Sequence, residues 1–209
     1  MNRTNELLTL QKNQREQASA MIGRAFFLDP LSLYILPDEE ERKRLLEPLQ
    51  DMVVRYALRY GEITCTPDLR SAACWLPPGR TSLTDLGLLL AGALPAMLKL
   101  GMATLQRAAQ IDTLMSRQHK RIVPGPHWYL AILAVDPPYQ GQGLGSQLLQ
   151  AGTARADAAN LPCYLDTATA RNVPLYQRFG FQVVHEEEVE GANLHLWNML
   201  RPPCGKADE

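Results

Sequence analysis

Cysteine and histidine are scarce in this chain, and neither is clustered. Among its 209 residues are four histidines and four cysteines, with the cysteines standing singly at positions 65, 74, 163 and 204. Scattered thiols without a CxxC pair are typical of reduced cytosolic proteins and argue against a structural zinc site. The sequence therefore predicts a cytoplasmic protein with no metal in its site.

A large charge imbalance is also missing. The chain has 21 lysines and arginines against 22 aspartates and glutamates, which gives a formal net charge of −1. This balance supplies no electrostatic reason to expect nucleic acid or an anionic membrane as a partner. We expect neither.

Hydrophobic runs long enough for a membrane are absent as well. The apolar stretch at 86–98 carries no charge, but it is shorter than the roughly 20 residues that span a bilayer, and Pro95 interrupts it. The first 17 residues lack the apolar core of a signal peptide. We expect no membrane insertion and interpret 86–98 as a buried helix, with a homodimer contact or a membrane-surface contact as the alternatives.

The first half of the chain mixes helix-like and strand-like patterns. Apolar residues recur at helical spacing after a short first strand, and the first helix is predicted to end at Asp29-Pro30. Asp38 and Glu41 are spaced as a capping box for the next helix. The predicted elements are a strand at 6–10, helices at 13–28 and 38–60, a strand pair at 62–67 and 69–76, and a helical insertion at 81–120.

The second half is more regular. HWYLAILAV at 127–135 is almost wholly apolar, as expected for a central strand that is covered on both faces. The later elements are a helix through Ala159, a strand at 162–169, a short helix before Gly180, and a closing hairpin of 181–190 and 193–200 joined through Gly191, Ala192 and Asn193. This order predicts an α/β fold with a mixed sheet.

A glycine-rich stretch, VDPPYQGQGLGSQLL at 135–149, joins the central strand to the helix after it. Glycines at such a junction let backbone amides approach a ligand, and a helix N-terminus favours an anion such as phosphate. A P-loop is excluded because no Lys-Ser or Lys-Thr follows the glycines. A dinucleotide fingerprint fits poorly, since Ser146 stands where its third glycine belongs.

A third type of phosphate loop fits this stretch. Gln140–Gly145 resembles the Q/R-x-x-G-x-G/A loop of the GNAT acetyltransferase superfamily, and Val135–Tyr139 is similar to the V-x-P-x-Y/F segment before that loop. Leu175–Phe181 resembles the family's L/F-Y-x-x-x-G-F segment. The resemblance is specific over 127–200, where it implies an acetyl-CoA-binding core.

The same resemblance implies the fold. It predicts one GNAT domain over residues 1–209, with a mostly antiparallel mixed sheet flanked by helices and an insertion before the central strand. The segment TARNVPLYQRFGF is most similar to the puromycin N-acetyltransferase-type branch, and so is Phe-Phe-x-Asp-Pro-Leu near residue 28. The substrate-choosing first half matches that branch only loosely, so the resemblance does not imply puromycin as the acceptor.

The resemblance also implies the residues that hold acetyl-CoA. Backbone groups of Leu133, Ala134 and Val135 are expected to bind the pantetheine arm and to stabilise the thioester oxygen. Asn172 is expected either to contact the cofactor or to cap the helix that follows it. The loop residues expected around the pyrophosphate are Gln140, Gly141, Gln142, Gly143, Leu144, Gly145 and Ser146.

Acetyl transfer to an amine needs an acid and a route for the amine proton. The motif makes Tyr176 the expected acid, which would protonate the departing thiolate. The central strand offers no glutamate as a base, so Asp166 on the next strand is the first candidate. His127, Glu186–Glu188 and a chain of water molecules are the alternatives.

The acceptor pocket is expected to come from the first half of the chain. Phe27, Asp29 and Tyr34 with Trp128 are the predicted wall residues, and Trp75 is a further candidate. The predicted function is transfer of acetyl from acetyl-CoA to a primary amine on a small molecule. The alternatives are acetylation of a protein or peptide, and a catalytically silent acyl-CoA-binding module.

Overall fold

Seven strands lie side by side in one sheet in the computed structural model, which describes residues 6–189 and 192–204. The strands are β1 (Leu8–Thr9), β2 (Glu62–Cys65), β3 (Ser71–Leu76), β4 (Trp128–Val135), β5 (Cys163–Thr167), β6 (Gln182–Val189) and β7 (Leu194–Arg201). Their order across the sheet is β1-β2-β3-β4-β5-β7-β6. Gly191, predicted in the turn of the last hairpin, lies outside the described residues.

Among these strands β4 and β5 pair in parallel, and the other neighbours pair in antiparallel fashion. Helices cover the sheet. They are α1 (Arg15–Ala25), α2 (Pro30–Ile35), α3 (Glu39–Tyr60), α4 (Asp85–Leu90), α5 (Leu94–Ile122), α6 (Leu144–Ala158) and α7 (Val173–Gln177). The predicted α/β fold, with a mostly antiparallel mixed sheet and a helical insertion before the central strand, is confirmed.

One helix was not predicted. The first helix is predicted to end at Asp29-Pro30, whereas α1 already ends at Ala25 and Pro30 begins α2. The Asp29 side chain accepts a hydrogen bond from the backbone N–H of Leu31 at 3.0 Å, and Pro30 takes the first helical position. An aspartate followed by proline is as good a helix start as it is a helix stop.

Two hydrophobic layers hold the helices to the sheet. On one face α1 and α3 pack over residues of β2 and β3, with Ile22, Val54 and Cys74 completely buried. On the other face α6 crosses the sheet directly over Trp75. A Cβ atom at Gly152 would lie 2.2 Å from the Trp75 ring, so only glycine allows this close approach.

Candidate active site

The central strands separate where the candidate site begins. Only Trp128 with Cys163 and Tyr129 with Tyr164 pair across β4 and β5, although β4 continues to Val135. The pairing of β3 with β4 also shifts register here, leaving Ala131 as an extra residue. A bulge of this kind bends a strand and increases its twist. The two strands therefore open into a cleft.

A cavity of about 770 Å³ occupies this cleft. It draws its walls from the end of β4, the turn between α1 and α2, the glycine loop, the segment after β5, and α7. The lining residues predicted from sequence are Asp29, Leu133, Ala134, Val135, Gln140, Gly141, Gly143, Leu144, Gly145, Ser146, Asn172 and Tyr176.

The glycine loop presents backbone to this cavity. Gly141 and Gly143 have φ angles of 76° and 83°, a region that side-chain-bearing residues rarely adopt. A Cβ atom at either position would meet no protein atom within 4 Å. Gly143 precedes the first residue of α6 and supplies no side-chain cap, so the first N–H groups of a 15-residue helix face the cavity. This arrangement fits an anionic group such as a diphosphate.

Polar contacts fix the loop against β4. The Arg24 guanidinium holds both oxygens of Asp136, with nitrogen–oxygen distances of 2.9 and 2.7 Å. The Gln140 Nε2 donates to the carbonyl of Val135 at 3.1 Å. Gln142, which lies outside the cavity lining, donates instead to the carbonyl of Pro138 at 3.4 Å. The backbone of the loop is thus positioned by neighbours on both sides.

Two arginines in the cavity wall were not singled out from the sequence. Arg171 and Arg178 flank α7 and line the cavity. Arg178 stands within the Tyr176 motif, so the sequence already placed it beside the site. A guanidinium suits phosphate oxygens because it offers several donors in a fixed plane.

Tyr176 is buried in the wall of the same cavity. Burial raises the pKa of its phenol well above the usual value, and the nearby carboxylate of Asp29 raises this pKa further. The phenol therefore stays protonated at neutral pH. Its ring is held edge-on against Phe181, with the centroids 6.1 Å apart.

Asp29 lines the same cavity. One carboxylate oxygen caps α2 and the other accepts a hydrogen bond from the Thr169 hydroxyl at 2.9 Å, which ties α2 to the segment after β5. Burial raises the pKa of Asp29 despite these hydrogen bonds. The cavity is thus lined by a carboxylate and by a phenol whose pKa that carboxylate raises.

Asp166 lies outside the cavity lining, in a polar network under α5. Tyr164 donates its hydroxyl to Asp166 Oδ1 at 2.6 Å, and the Asn198 amide donates to both Tyr164 and Asp166. Burial raises the pKa of Asp166 to about 6. The other oxygen, Oδ2, is sealed from solvent without a hydrogen-bond partner among the described residues.

Two histidines close this network. The His119 ring stacks on Tyr164 at 4.1 Å, and its Nε2 lies 2.6 Å from Nε2 of His127. Because the Gly125 carbonyl can only accept, His127 Nδ1 donates to it, and His127 Nε2 must accept from His119. Burial lowers the pKa of both imidazoles. His127 is therefore enclosed away from the cavity.

The remaining candidates lie elsewhere. Phe27 packs under the Arg42 guanidinium, 4.9 Å from its ring centre, and Tyr34 reaches Gln110 at 3.4 Å. Trp128 and Trp75 belong to the core beneath α6. The acidic stretch Glu186–Glu188 lies on β6. None of these residues lines the cavity.

Comparison with known proteins finds acetyltransferases both among protein families and among single proteins. The family model described as the acetyltransferase (GNAT) family matches residues 100–181, which hold the glycine loop and Tyr176. This part of the chain is therefore similar to the GNAT acetyltransferase family. An uncharacterized N-acetyltransferase of Schizosaccharomyces pombe is 24% identical over 204 residues, covering 90% of this chain and 79% of that protein.

Solved structures agree with the GNAT fold. One solved structure, of "histone acetyltransferase HPA2 and related acetyltransferase" from Corynebacterium glutamicum, superposes on this chain with a TM-score of 0.69 at 23% identity. The match covers 97% of this chain and 98% of that one. Arylalkylamine N-acetyltransferase 2 from Aedes aegypti gives 0.61 at 16% identity, with 94% and 98% coverage. Among the described helices, none combines the length and apolar character that crossing a bilayer requires.

Proposed function

We propose that this protein moves an acetyl group from acetyl-CoA to a primary amine on a small molecule. The observation that carries the proposal is one continuous cavity. Its walls include both the uncapped N-terminus of α6 with its glycine loop and the pair Tyr176 and Asp29. A phosphate-binding region and proton-transfer groups in the same cavity are what this reaction requires.

The cofactor end is assigned from backbone and charge. The amides of 141–146 would hold the diphosphate, with Arg171 and Arg178 as its counter-cations. Beyond Tyr129, the edge of β4 that faces β5 is unpaired, so the backbone at 133–135 is free to bind the amides of a pantetheine arm. Asn172 lines this end, and its side chain makes no capping hydrogen bond to the described residues.

The chemistry follows from the groups around the thioester position. Acetyl-CoA supplies an activated acyl group. Backbone N–H groups at 133–135 would donate to the carbonyl oxygen as charge builds on it. The amine nitrogen forms its bond to the acyl carbon as the carbon–sulfur bond breaks, and the Tyr176 hydroxyl gives its proton to the departing sulfur.

Asp29 is the carboxylate best placed to meet the amine, because it lines the cavity beside Tyr176. It would hold the amine as a cation and then take up its proton, which a raised pKa favours. Asp166, the candidate chosen from sequence, is the alternative recipient. Its pKa of about 6 suits a base, but its hydrogen bonds point into the network under α5.

The acceptor end also limits the kind of amine. Phe26, Leu28 and Pro30 surround Asp29 with apolar surface. A small amine with apolar or aromatic bulk matches one carboxylate in such surroundings better than a peptide with many polar groups does.

The direct test is release of free CoA from acetyl-CoA with a panel of aromatic amines, aliphatic amines, polyamines and peptides. We expect saturable release with small apolar amines. Turnover confined to peptides would contradict a small-molecule acceptor and would favour protein or peptide acetylation. Tight acetyl-CoA binding with no release for any amine would favour the silent acyl-CoA-binding module.

A further inference from the structure

Thr169 contacts Asp29 in the wall of the cavity. Its hydroxyl donates to Asp29 Oδ2 at 2.9 Å, although the two residues lie 140 positions apart in the chain. Thr169 follows β5, whereas Asp29 caps α2 in the first half of the chain. Both residues line the cavity. The bond therefore joins two parts of the cavity wall that come from distant segments.

The backbone of Thr169 is fixed before any ligand arrives. Its N–H donates to the Thr167 hydroxyl at 3.2 Å, and its carbonyl accepts a hydrogen bond from the N–H of Asn172 at 2.9 Å. A β-branched side chain on a fixed backbone has few χ1 rotamers. The Thr169 hydroxyl is thus held in position to donate to Asp29.

The Asp29 carboxylate keeps acceptor capacity after this bond is made. Oδ1 accepts a hydrogen bond from the Leu31 N–H at 3.0 Å, and Oδ2 accepts the one from Thr169. An ionised carboxylate has about four lone-pair sites for donors. Two fixed donors therefore hold the carboxylate in one orientation and leave room for a further donor, such as an ammonium group.

Several groups act on the charge of Asp29. Burial raises the pKa of this carboxyl, and the hydrogen bond from Thr169 is the strongest of the contacts that lower it. A hydrogen bond to the ionised form favours that form. The other groups near this charge among the described residues are the N–H groups of Leu31 and Ser32, the guanidinium of Arg171, and the phenol of Tyr176 on α7.

A second contact holds the turn between α1 and α2 independently of Thr169. Arg24, at the end of α1, binds both oxygens of Asp136, the residue after β4, at 2.9 and 2.7 Å. This ion pair and the cap bond from Leu31 would remain if the Thr169 hydroxyl were removed. Loss of the hydroxyl should therefore change the ionisation of Asp29 and leave the turn in place.

We propose that Thr169 is a positioning residue that keeps the Asp29 carboxylate ionised and oriented to receive the acceptor amine. The proposal rests on the function proposed above, in which Asp29 takes up the amine proton. Without the hydroxyl, the ionised form of Asp29 loses a donor, so Asp29 gains a proton at a higher pH than in the wild type.

The pH dependence of kcat/KM for the amine, measured by CoA release, tests the proposal with two variants. Thr169→Val replaces the hydroxyl by a methyl group of similar size, and Thr169→Ser keeps the donor. We expect the acid-side midpoint to rise by about one pH unit in Thr169→Val, as for loss of one hydrogen bond to a charged group, and to return in Thr169→Ser.

Thr113→Val is the matched control. The Thr113 hydroxyl donates to the Ala109 carbonyl within α5 at 2.7 Å, and Thr113 lies outside the cavity lining. The midpoint should stay at the wild-type value in this variant.

Carbon-13 NMR titration of the Asp29 carboxyl in the free protein needs no turnover, and Asp29→Asn identifies the signal. An upward shift of its midpoint in Thr169→Val, matching the shift in kcat/KM, would support the proposal. An NMR midpoint that does not move would overturn it and leave the role of Asp29 intact. A shifted NMR midpoint with an unchanged kcat/KM profile, or with no CoA release for any amine, would overturn it by removing Asp29 from the reaction.

Discussion

The cavity and the network under α5 both begin where β5 leaves β4, but they are built differently. The cavity presents backbone amides, glycines and two arginines to the space between the strands. The network turns its side chains toward one another, as the bonds among Tyr164, Asp166 and Asn198 show. Groups that point into open space can bind and react, whereas the bonds of the network mainly join β5 to β7, with His119 of α5 stacked on Tyr164.

Tyr176→Phe should have the largest effect within this comparison. Removing the hydroxyl leaves the packing on Phe181 but deletes the proton donor, so kcat should fall on the order of 100-fold or more. The KM for acetyl-CoA should change little. Steady-state CoA release measures both constants, and Tyr34→Phe, outside the cavity, serves as the control. An unchanged kcat would remove Tyr176 from the reaction.

Asp29→Asn should come next. Asparagine is as good a helix cap as aspartate, so the variant removes charge while it leaves α2 in place. We expect kcat/KM for the amine to fall roughly tenfold or more, with acetyl-CoA binding unchanged. Asp38→Asn makes the same change at the cap of α3, away from the cavity, and should have no effect on turnover. Equal losses in both variants would contradict the assignment.

Asp166→Asn should change stability more than rate. The folded pKa of about 6 lies above the ordinary 3.8, so ionisation of Asp166 opposes folding, and wild-type stability should fall as pH rises through this window. The asparagine side chain does not ionise, so the loss of stability between about pH 4 and about pH 8 should be smaller in the variant than in the wild type by on the order of 2 kcal/mol. Urea unfolding of both proteins at about pH 4 and about pH 8 measures this difference.

The same variant decides between the two carboxylates. If Asp166 were the base, Asp166→Asn would lower the rate and alter its pH profile, as the sequence-derived hypothesis requires. The structure-based expectation is a nearly normal rate with a flatter stability profile.

More of the residues predicted from the glycine loop and the Tyr176 motif line the cavity than of those predicted for the acceptor pocket. The glycine loop and the Tyr176 segment are local motifs, in which neighbouring residues in the chain are also neighbours in the fold. The wall of the cavity formed by the first half of the chain depends instead on which residues around α1 and α2 meet the end of β4. Phe27 and Phe26 are adjacent in sequence, yet only Phe26 lines the cavity, because Phe27 turns toward Arg42.

Asp166 also shows that sequence does not predict contacts between distant segments. Its residue type and strand position were correct grounds for suspecting a base. Its partners are Tyr164 on its own strand and Asn198 on β7, with His119 of α5 stacked behind them. These residues are far apart in the sequence, so no local pattern could predict that they form one hydrogen-bonded network.

The central claim is that the glycine loop binds the diphosphate of acetyl-CoA, and calorimetric titration of acetyl-CoA into Gly143→Ala tests it most directly. Gly143 lines the cavity, so Gly143→Ala adds a methyl group to the cavity wall, whereas Gly79→Ala adds the same group at a φ of 78° outside the cavity lining. Each variant carries a similar backbone cost of about 1–2 kcal/mol. We predict roughly tenfold weaker binding for Gly143→Ala alone. Equal affinity in wild type and both variants would contradict the claim.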